Sequence, residues 1–354
     1  MLYWIYELTS INILQDITVR AGISFFVAFI LTLILIPKFI KWTKNKNIIQ
    51  PIHDMMPESH QKKLDIPAMG GLVFLSSTIF ATILCVRLDN IFVIGGFLAI
   101  ILFSLIGIKD DLLKMKYGNN LLGLSRQTKF LLQIFSAFIV AIFIFFISDI
   151  SSELFVPFLK NPVIQMEYFA IFFWVLVIVS VSNAVNLTDG LDGLATVPSI
   201  FSMLTLGIFL YISGDAVLSN NLGLPKVSGA GEIVIMATAF IGALTAFLWH
   251  NCHPAKIFMG EVGSMGIGAF IAYMAIVSKN ELLLIIVGFL FLIETVSTIL
   301  QLGSFKIFGK TIFKMAPIHH HFEKEGWAES KIVVRFWIIA LVSNLIALME
   351  IKLG

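Results

Sequence analysis

Ten apolar segments, each close to the length of a membrane-spanning helix, constrain this chain more than any other feature. Crossing a bilayer takes about 20 apolar residues in a helix, because the hydrocarbon offers no water to satisfy exposed backbone groups. Only 13% of the 354 residues are charged, against roughly 25% in soluble domains. The predicted fold class is therefore an all-α polytopic membrane protein with about ten transmembrane helices, at approximately 21–37, 69–86, 90–108, 130–148, 168–187, 194–214, 233–249, 262–278, 282–301 and 332–349.

The distribution of basic residues predicts the orientation of these helices. Three quarters of the 24 Lys and Arg residues fall in the loops on one side of the ten segments. Positively charged loops remain cytoplasmic, so both termini are predicted to be extracytoplasmic. The net charge of +2 gives no reason to expect a nucleic-acid partner, which requires a basic surface.

Polar side chains are concentrated on the same side as the basic loops. No internal repeat is evident, so we predict a single membrane domain covering 1–354. A transporter is the alternative class, but it would be expected to show repeat symmetry and polar groups at the bilayer midplane. The face predicted to carry an active site consists of the cytoplasmic loops 38–68, 109–129, 186–193, 250–261 and 302–331.

Two acidic motifs follow predicted helices on this face. Asp110 and Asp111 end the third segment, where a solvated helix end is the simpler interpretation and a Mg²⁺-phosphate site or general base is the functional one. The loop 183–193 carries four amide or carboxylate side chains together with Gly190 and Gly193. A tight turn does not need so many polar groups, so this loop favours a binding site.

Three further features are less specific. Glu261 lies among glycines before the eighth segment, where an acid could approach a metal-bound phosphate. The consecutive histidines His319–His321 point about 100° apart on a helix and cannot share one ion; Pro317 suggests a loop, which either binds a donor or is simply polar. Glu294 is an acid inside a predicted span, so it is functional or specifically paired.

Taken in order, these motifs resemble the polyprenyl-phosphate N-acetylhexosamine-1-phosphate transferases. The resemblance covers nearly the whole chain, and the triple-His segment favours the branch that uses a muramoyl-pentapeptide donor. It rests on 58–60, Lys63, 67–71, the Asp pair, 183–193, Asn251, 258–264 and 316–323.

The resemblance implies ten helices with extracytoplasmic termini, in agreement with the charge distribution. It also implies Mg²⁺ as cofactor, UDP-N-acetylmuramoyl-pentapeptide as donor and undecaprenyl phosphate as acceptor. The products would be UMP and lipid I, the first membrane-bound intermediate of peptidoglycan synthesis. The enzyme would lie in the bacterial inner membrane with its active site facing the cytoplasm. The sequence leaves the oligomeric state open, and a homodimer is one of the arrangements considered.

Residue roles follow from the resemblance. Asp110, Asp111, Glu261 and His320 would be catalytic, and the first three would also bind the metal. Asp110 would act as the base or orient the lipid phosphate. Substrate binding would fall to Lys63, Lys129, Asn183, Asn186, Asp189, Gly190, Leu191, Asp192, Asn251, Phe258, Gln301, Ala316, His319 and His321.

One position departs from the family pattern, which has Asp where this chain has Glu261. The extra methylene displaces the carboxylate by about 1 Å, and misplacement on this scale can lower a rate by about 100-fold. We therefore expect a retained fold with reduced activity. The alternatives are a non-catalytic relative and a transferase that uses UDP-N-acetylglucosamine.

Overall fold

The structure is a computed structural model that describes residues 1–9, 11–45, 66–117 and 122–353. Lys63 and the 58–60 motif lie outside the described residues. In chain order the helices are α1 (Leu2–Thr9), α2 (Ile17–Asn45), α3 (Gly70–Cys85), α4 (Ile91–Tyr117), α5 (Arg126–Ile147), α6 (Phe169–Thr188), α7 (Thr196–Gly214), α8 (Ala216–Leu222), α9 (Glu232–Asn251), α10 (Glu261–Val277), α11 (Leu284–Val287), α12 (Phe289–Phe308), α13 (Ile318–Lys324), α14 (Glu329–Leu348) and α15 (Glu350–Leu353).

The described helices confirm the predicted all-α membrane fold. Eight of them are long and apolar enough to cross a membrane, and α3 and α10 are shorter apolar helices. Each of the ten predicted segments overlaps one of these ten helices. The ninth segment is divided at Gly288 into α11 and α12. The extended structure found in the described chain is one two-stranded antiparallel hairpin, Glu153–Leu154 with Ile164–Gln165.

Helix α10 lies at the centre of the bundle, and every residue from Val262 to Val277 is buried. Small residues let neighbouring backbones approach it closely. A Cβ on Gly71 in α3 would collide with the backbone of Gly263, and one on Gly268 would collide with the backbone of Ser182 in α6. Such contacts between small residues are a common means of packing helices in lipid. They fix the first turn of α10, which begins with Glu261.

The segment before α10 is held by the start of α3. Gly70 and Gly71 donate their backbone N–H groups to the carbonyl oxygens of Phe258 and Met259, at 2.9 and 2.8 Å, and Phe258 N donates to Pro67 O at 2.9 Å. The first N–H groups of a helix have no acceptor within that helix. The segment before α10 supplies carbonyl acceptors for two of these groups in α3. The pairing fixes the backbone position of Phe258.

Helix α4 extends between two polar regions of the molecule, one at each of its ends. At its start, Asn90 donates to the carbonyl oxygen of Gly229, which lies just before α9. Asp110 and Asp111 lie near its other end. A helix rises about 1.5 Å per residue, so the two regions are separated by about 30 Å, the hydrocarbon thickness of a bilayer.

Candidate active site

Asp110 and Asp111 are both buried, although they are adjacent on α4. Asp110 Oδ1 accepts a hydrogen bond from the backbone N–H of Leu124 at 2.8 Å. Its other oxygen is 2.7 Å from Nζ of Lys114, one helical turn further along. The side chain is therefore fixed between the loop before α5 and a lysine of its own helix.

Asp111 has a different set of contacts. Its Oδ2 accepts a hydrogen bond from the backbone N–H of Val262 at 3.1 Å. This N–H belongs to the first turn of α10, where it has no partner within the helix. Gly260 leaves room for the Asp111 carboxylate, because a Cβ at position 260 would lie 2.7 Å from Asp111 Oδ2. Asp111 thus acts as a helix cap from a neighbouring helix and fixes the segment that carries Glu261.

The Glu261 carboxylate forms ion pairs with two lysines. One oxygen contacts Lys114 and the other contacts Lys129 of α5. Glu261 is also in the first turn of α10, where the helix dipole favours an acidic group. The three side chains are partly exposed, so this cluster is open to solvent.

Asp189 lies just beyond the end of α6 and is half-buried. Among the described residues, no group donates a hydrogen bond to its carboxylate. Burial, followed by the nearby carboxylates of Asp111, Asp192 and Glu261, raises the pKa of Asp189 to about 7. Four acids therefore contribute negative potential to one region, and a cation bound there would relieve it.

Asp192 belongs to a second polar cluster. Its Oδ2 lies 3.0 Å from Nδ1 of His253 and accepts from the backbone N–H of Ala255 at 3.1 Å. Its own backbone N–H donates to Glu329 Oε1 at 3.0 Å. Glu329 begins α14, so these contacts connect the loop after α6 to the segment that follows α9 and to α14. Sequence reasoning missed His253 and Glu329.

Three amide side chains from the predicted binding set brace the protein backbone or another side chain. Asn183 exchanges two hydrogen bonds with Gln133 of α5, at 2.9 and 3.1 Å. Gln301 accepts from the N–H groups of Ile312 and Phe313 and donates to Phe313 O. Asn251 donates to Ile257 O at 2.9 Å. These contacts favour a supporting role for the three amides.

Asn186 differs from these amides. Its Nδ2 donates to Ser264 Oγ at 2.8 Å, an arrangement that joins α6 to the first turn of α10. No described group uses its Oδ1. This oxygen therefore remains available to a ligand.

The three histidines lie on the short helix α13, not on the irregular loop suggested by Pro317. Each uses Nδ1 for a different partner, which agrees with the expectation that they cannot share one ion. His319 Nδ1 is 2.9 Å from Glu294, and His320 Nδ1 is 2.6 Å from Glu323. His321 Nδ1 accepts from the backbone N–H of Lys314 at 3.2 Å.

The remaining predicted binding residues lie around this arrangement. Phe258 is half-buried before α10, and Ala316 is half-buried before α13. Leu191 is buried and packs in a small apolar cluster with residues of α14. Gly190 lies against His319, where a Cβ would collide with Nε2 of the imidazole. The loop after α6 and helix α13 are therefore in direct contact.

Carboxylates near one another on α4 and α10 fit a Mg²⁺ ion. Magnesium prefers oxygen ligands, keeps several waters and is usually bound by one or two carboxylates together with substrate phosphates. Glu261 is the most accessible of the three predicted ligands, and Asp110 is close enough to interact with it. The Asp189 carboxyl, whose pKa is raised by burial and by the surrounding acids, adds to the negative potential when ionised. Asp111 is committed to Val262 and fits a supporting role better.

Lys114 is the main site residue that sequence reasoning missed. In the sequence it is only one of several basic residues in the predicted loop 109–129. Its spacing of four residues from Asp110 on one helix was the available signal, because side chains at that spacing are neighbours. Its contact with Glu261 could not be read from the sequence, since it joins residues 147 positions apart.

This helical membrane fold, with acids, lysines and histidines gathered at one end of the bundle, is typical of an enzyme acting on phosphate groups. A sequence profile of glycosyl transferase family 4 matches residues 93–279, just over half of the chain. That match includes the Asp pair, the loop 183–193 and Glu261.

Full-length relatives narrow the class further. A phospho-N-acetylmuramoyl-pentapeptide-transferase of Campylobacter jejuni is 57% identical and covers 99% of this chain and all of the relative. Proteins of the same name from Nitratiruptor and Sulfurimonas denitrificans are 57% and 53% identical, with complete coverage of both chains. The chain belongs to glycosyl transferase family 4 and, within it, to the phospho-N-acetylmuramoyl-pentapeptide transferases.

Proposed function

We propose that this protein transfers phospho-N-acetylmuramoyl-pentapeptide from UDP-N-acetylmuramoyl-pentapeptide to undecaprenyl phosphate, giving lipid I and UMP. The observation that carries the proposal is the cluster of Asp110, Lys114, Lys129 and Glu261, which brings two acids and two cations together at one end of the bundle. Such a cluster suits a reaction between two phosphate groups. The names of the full-length relatives support the choice of donor.

In this reaction an oxygen of the lipid phosphate attacks the phosphorus attached to the sugar. The bond from that phosphorus to the bridging oxygen breaks, and UMP leaves with the electron pair. Phosphoryl transfer of this kind depends on positioning and charge neutralisation more than on covalent chemistry by the protein. The protein must therefore hold two anions close together and offset their repulsion.

The lysines supply the required positive charge. Lys114 and Lys129 bring their ammonium groups to the same carboxylate from α4 and α5. Each can turn from Glu261 to a phosphate oxygen, because lysine is a flexible point charge with three donors. Asp110 would orient the attacking lipid phosphate or accept its proton, and Asp111 would hold α10 in place.

Glu261 and Asp110 are the proposed ligands of Mg²⁺. When bound, the ion would neutralise oxygens of the donor diphosphate. The carboxylates of Asp111 and Asp189 would support it through negative potential. Of the predicted metal set of Asp110, Asp111 and Glu261, we therefore retain Asp110 and Glu261 as ligands, and Asp111 acts mainly through its contact with α10.

The donor nucleotide would occupy the region bounded by the loop after α6, Phe258 and α13. Asp189, Asn186 and the histidines provide polar groups, and Phe258 provides an aromatic surface. Asn183, Asn251, Gln301 and Asp192 would hold the surrounding backbone. Lys63, which lies outside the described residues, remains a proposed donor ligand on the basis of the family resemblance.

An apolar cavity supports an acceptor with a long hydrocarbon tail. The cavity has a volume of about 260 Å³ and opens between α6, α10, α11 and α12. It is lined mainly by aliphatic and aromatic residues, including Leu176, Ile271 and Phe291. The isoprenoid tail would lie there and remain in lipid while its phosphate reaches the charged cluster.

We place the charged cluster on the cytoplasmic side of the bacterial inner membrane, with both termini outside. The three-quarters share of Lys and Arg in loops on that side supports this orientation. The donor would then arrive from the cytoplasm. Cysteine substitution at exposed Trp42 and Tyr168, followed by labelling with an impermeant reagent on intact cells, tests the proposal. Only the residue 168 variant should be labelled from outside.

The test of function measures UMP released by purified protein with undecaprenyl phosphate and Mg²⁺. UDP-N-acetylmuramoyl-pentapeptide is compared with UDP-N-acetylglucosamine as donor. The proposal expects turnover of the first donor only, lost when Mg²⁺ is chelated or when Asp110 is changed to Asn. Turnover of only the second donor would establish the other transferase activity. Release from neither would indicate a non-catalytic relative.

A further inference from the structure

Glu294 and His319 form a fully buried acid–imidazole pair at the contact between α12 and α13. Both residues have 0% exposure. His319 Nδ1 lies 2.9 Å from Glu294 Oε2. The pair is reinforced at Ser297, whose Oγ accepts from the backbone N–H of Ile318 at 3.0 Å. An acid at this depth is expensive unless it serves a specific partner.

Each member of the pair retains one unused polar atom. Among the described residues, neither Glu294 Oε1 nor His319 Nε2 has a hydrogen-bond partner, and both are buried. Leaving a buried polar atom without a hydrogen-bond partner destabilises a protein. Nε2 points at Gly190, because a Cβ on that glycine would collide with it. The unused imidazole nitrogen therefore faces the proposed nucleotide loop.

Charge balance restricts which hydrogen-bonding role Nε2 has. A buried unpaired charge is costly, so the pair is favoured in a state with no net charge. In one such state, an imidazolium faces a carboxylate, and both ring nitrogens carry hydrogen. In a second, a protonated Glu294 donates to Nδ1, and a neutral imidazole carries its hydrogen on Nε2. In a third, Glu294 carries its hydrogen on Oε1, Nδ1 donates to Oε2, and Nε2 is an acceptor. The loop that Nε2 faces carries Asp189 and Asp192, whose negative potential favours the first two states, in which Nε2 is a hydrogen-bond donor.

We propose that Glu294 is a positioning residue that keeps a hydrogen on His319 Nε2, so that this nitrogen donates to an oxygen of the donor nucleotide bound at the Asp189–Asp192 loop. Gly190 is required because it lets the imidazole reach the loop. This inference deepens the proposed function, since it assigns an intramembrane acid to recognition of the donor. Glu294 touches no substrate itself and acts through His319.

The first test needs no variant of Glu294. In wild-type protein labelled with ¹⁵N-histidine, the His319 signal is assigned by its loss in a His319→Leu protein. The proposal expects Nε2 to carry hydrogen before ligand is added and to shift when UMP binds. An Nε2 without hydrogen, or one unaffected by saturating UMP, would overturn the proposal.

The second test uses Glu294→Met, which keeps an unbranched side chain of similar length. Glu350→Met is the matched control, because Glu350 is a buried acid with an unpartnered oxygen near the chain end, remote from the charged cluster. Loss of a partner that orients a metal-binding histidine typically lowers metal affinity or activity by about 10- to 100-fold. We expect Glu294→Met to weaken UMP binding and raise KM for the donor by that factor, with a smaller change in kcat. Equal UMP affinity in the two variants would reject the proposal.

The double variant Glu294→Met/His319→Leu separates positioning from a purely structural role. If Glu294 acts through His319, replacing Glu294 in a protein that already lacks the imidazole should cause little further loss of UMP affinity. Losses that add in full would contradict the inference. These binding measurements do not depend on turnover. If wild-type protein binds UMP but consumes no muramoyl donor, the proposed function fails, and the role of Glu294 is still tested.

Discussion

Two charged clusters at opposite ends of α4 show how differently a membrane protein can use buried ions. At the starting end, Arg20 of α2 faces Glu232 of α9 through two hydrogen bonds, at 2.6 and 2.9 Å. The side chains are only 1% and 7% exposed. The guanidinium also donates to Cys85 O and Gln15 O, and Glu232 accepts from the backbone N–H of Arg87.

The cluster at the other end is built from different side chains. Glu261 is shared by Lys114 and Lys129, and the three side chains are 16%, 17% and 18% exposed. Lysine presents a compact charge on a flexible stem, whereas arginine presents a rigid fork that matches a carboxylate. The lysines can therefore exchange the carboxylate for a phosphate, while Arg20 is held by geometry and by backbone contacts.

The contrast separates a structural ion pair from a functional one. Breaking a buried, bidentate ion pair leaves a charge that water cannot reach, so loss of the pair lowers the stability of the protein. Breaking a partly solvated cluster leaves charges that water can stabilise, so its loss is expressed in activity. The following predictions test this distinction in order of decreasing effect.

The largest effect is expected for Arg20→Met, which strands the buried carboxylate of Glu232. Removing one partner of a buried ion pair costs about 3–5 kcal/mol. The free energy of unfolding should fall by that amount, while UMP release per folded molecule stays unchanged. Chemical denaturation in detergent micelles measures the change. The control is Arg20→Met/Glu232→Leu, which should recover much of the loss because no unpaired charge remains. A double variant no more stable than the single one would contradict this account.

The second largest effect is expected for Glu261→Gln, and it should lower activity instead of stability. Removal of one electrostatic contact to a transition state typically lowers a rate by about 100- to 1,000-fold. We expect such a fall in UMP release, together with a weaker response to Mg²⁺ and a melting temperature close to that of the wild type. Glu350→Gln provides the same chemical change away from the cluster and should retain activity. A fall in stability comparable to that of Arg20→Met would remove the contrast between the two regions.

A smaller effect is expected for Glu261→Asp, which restores the residue of the family pattern. The longer side chain reaches both Lys114 and Lys129, and the shorter one would have to give up part of this arrangement. Misplacement by about 1 Å can lower a rate by about 100-fold. We expect turnover to fall by about 10- to 100-fold, because the contacts of Glu261 with both lysines indicate a site adapted to Glu. This prediction replaces the expectation of reduced activity drawn from the sequence alone. A higher rate in Glu261→Asp would show instead that Glu261 limits the wild-type enzyme.

The smallest effect concerns Asp189, whose pKa is raised to about 7 by burial and neighbouring carboxylates. A raised carboxyl pKa means that the folded protein favours the protonated form. Its contribution to stability is fully present below the unfolded pKa of about 3.9 and is lost as pH rises through about 7. Without Mg²⁺, Asp189→Asn should therefore melt a few degrees above wild type at pH 8, and the difference should shrink to about a third of that at pH 5.

Thermal unfolding at the two pH values checks this expectation. Added Mg²⁺ should reduce the difference at pH 8, because the cation favours the ionised carboxylate of the wild type. A difference of equal size at both pH values would mean that the carboxyl of Asp189 does not titrate in this range.

The membrane spans could be predicted well, whereas the break at Gly288 could not. Hydropathy and segment length follow from bilayer thickness, so each of the ten segments overlaps a described helix. Gly288 lies inside an apolar run, and glycine is tolerated within membrane helices. Whether the helix continues there depends on packing against other helices. The sequence also could not show that α13 is helical, because Pro317 is compatible with either a loop or a helix start.

The residues of the candidate site were easier to predict than their partners. The acids, histidines and Lys129 were identified from motifs, but their roles divide in ways the motifs do not reveal. Asp110 and Asp111 look equivalent in sequence, yet one pairs with Lys114 and the other caps α10. Asn183 looks like a ligand, but both ends of its amide are used by Gln133.

The sequence by itself determined that this chain is a membrane-spanning helical protein, which family it resembles and which polar residues lie between its spans. These properties depend on local composition and on the thickness of a bilayer. Tertiary structure decided which charges meet. Glu261 with Lys129, Arg20 with Glu232, and Glu294 with His319 are separated by 132, 212 and 25 positions. Their contacts arise only when small residues let the helices pack closely, and the energy of each contact depends on how much water remains around it.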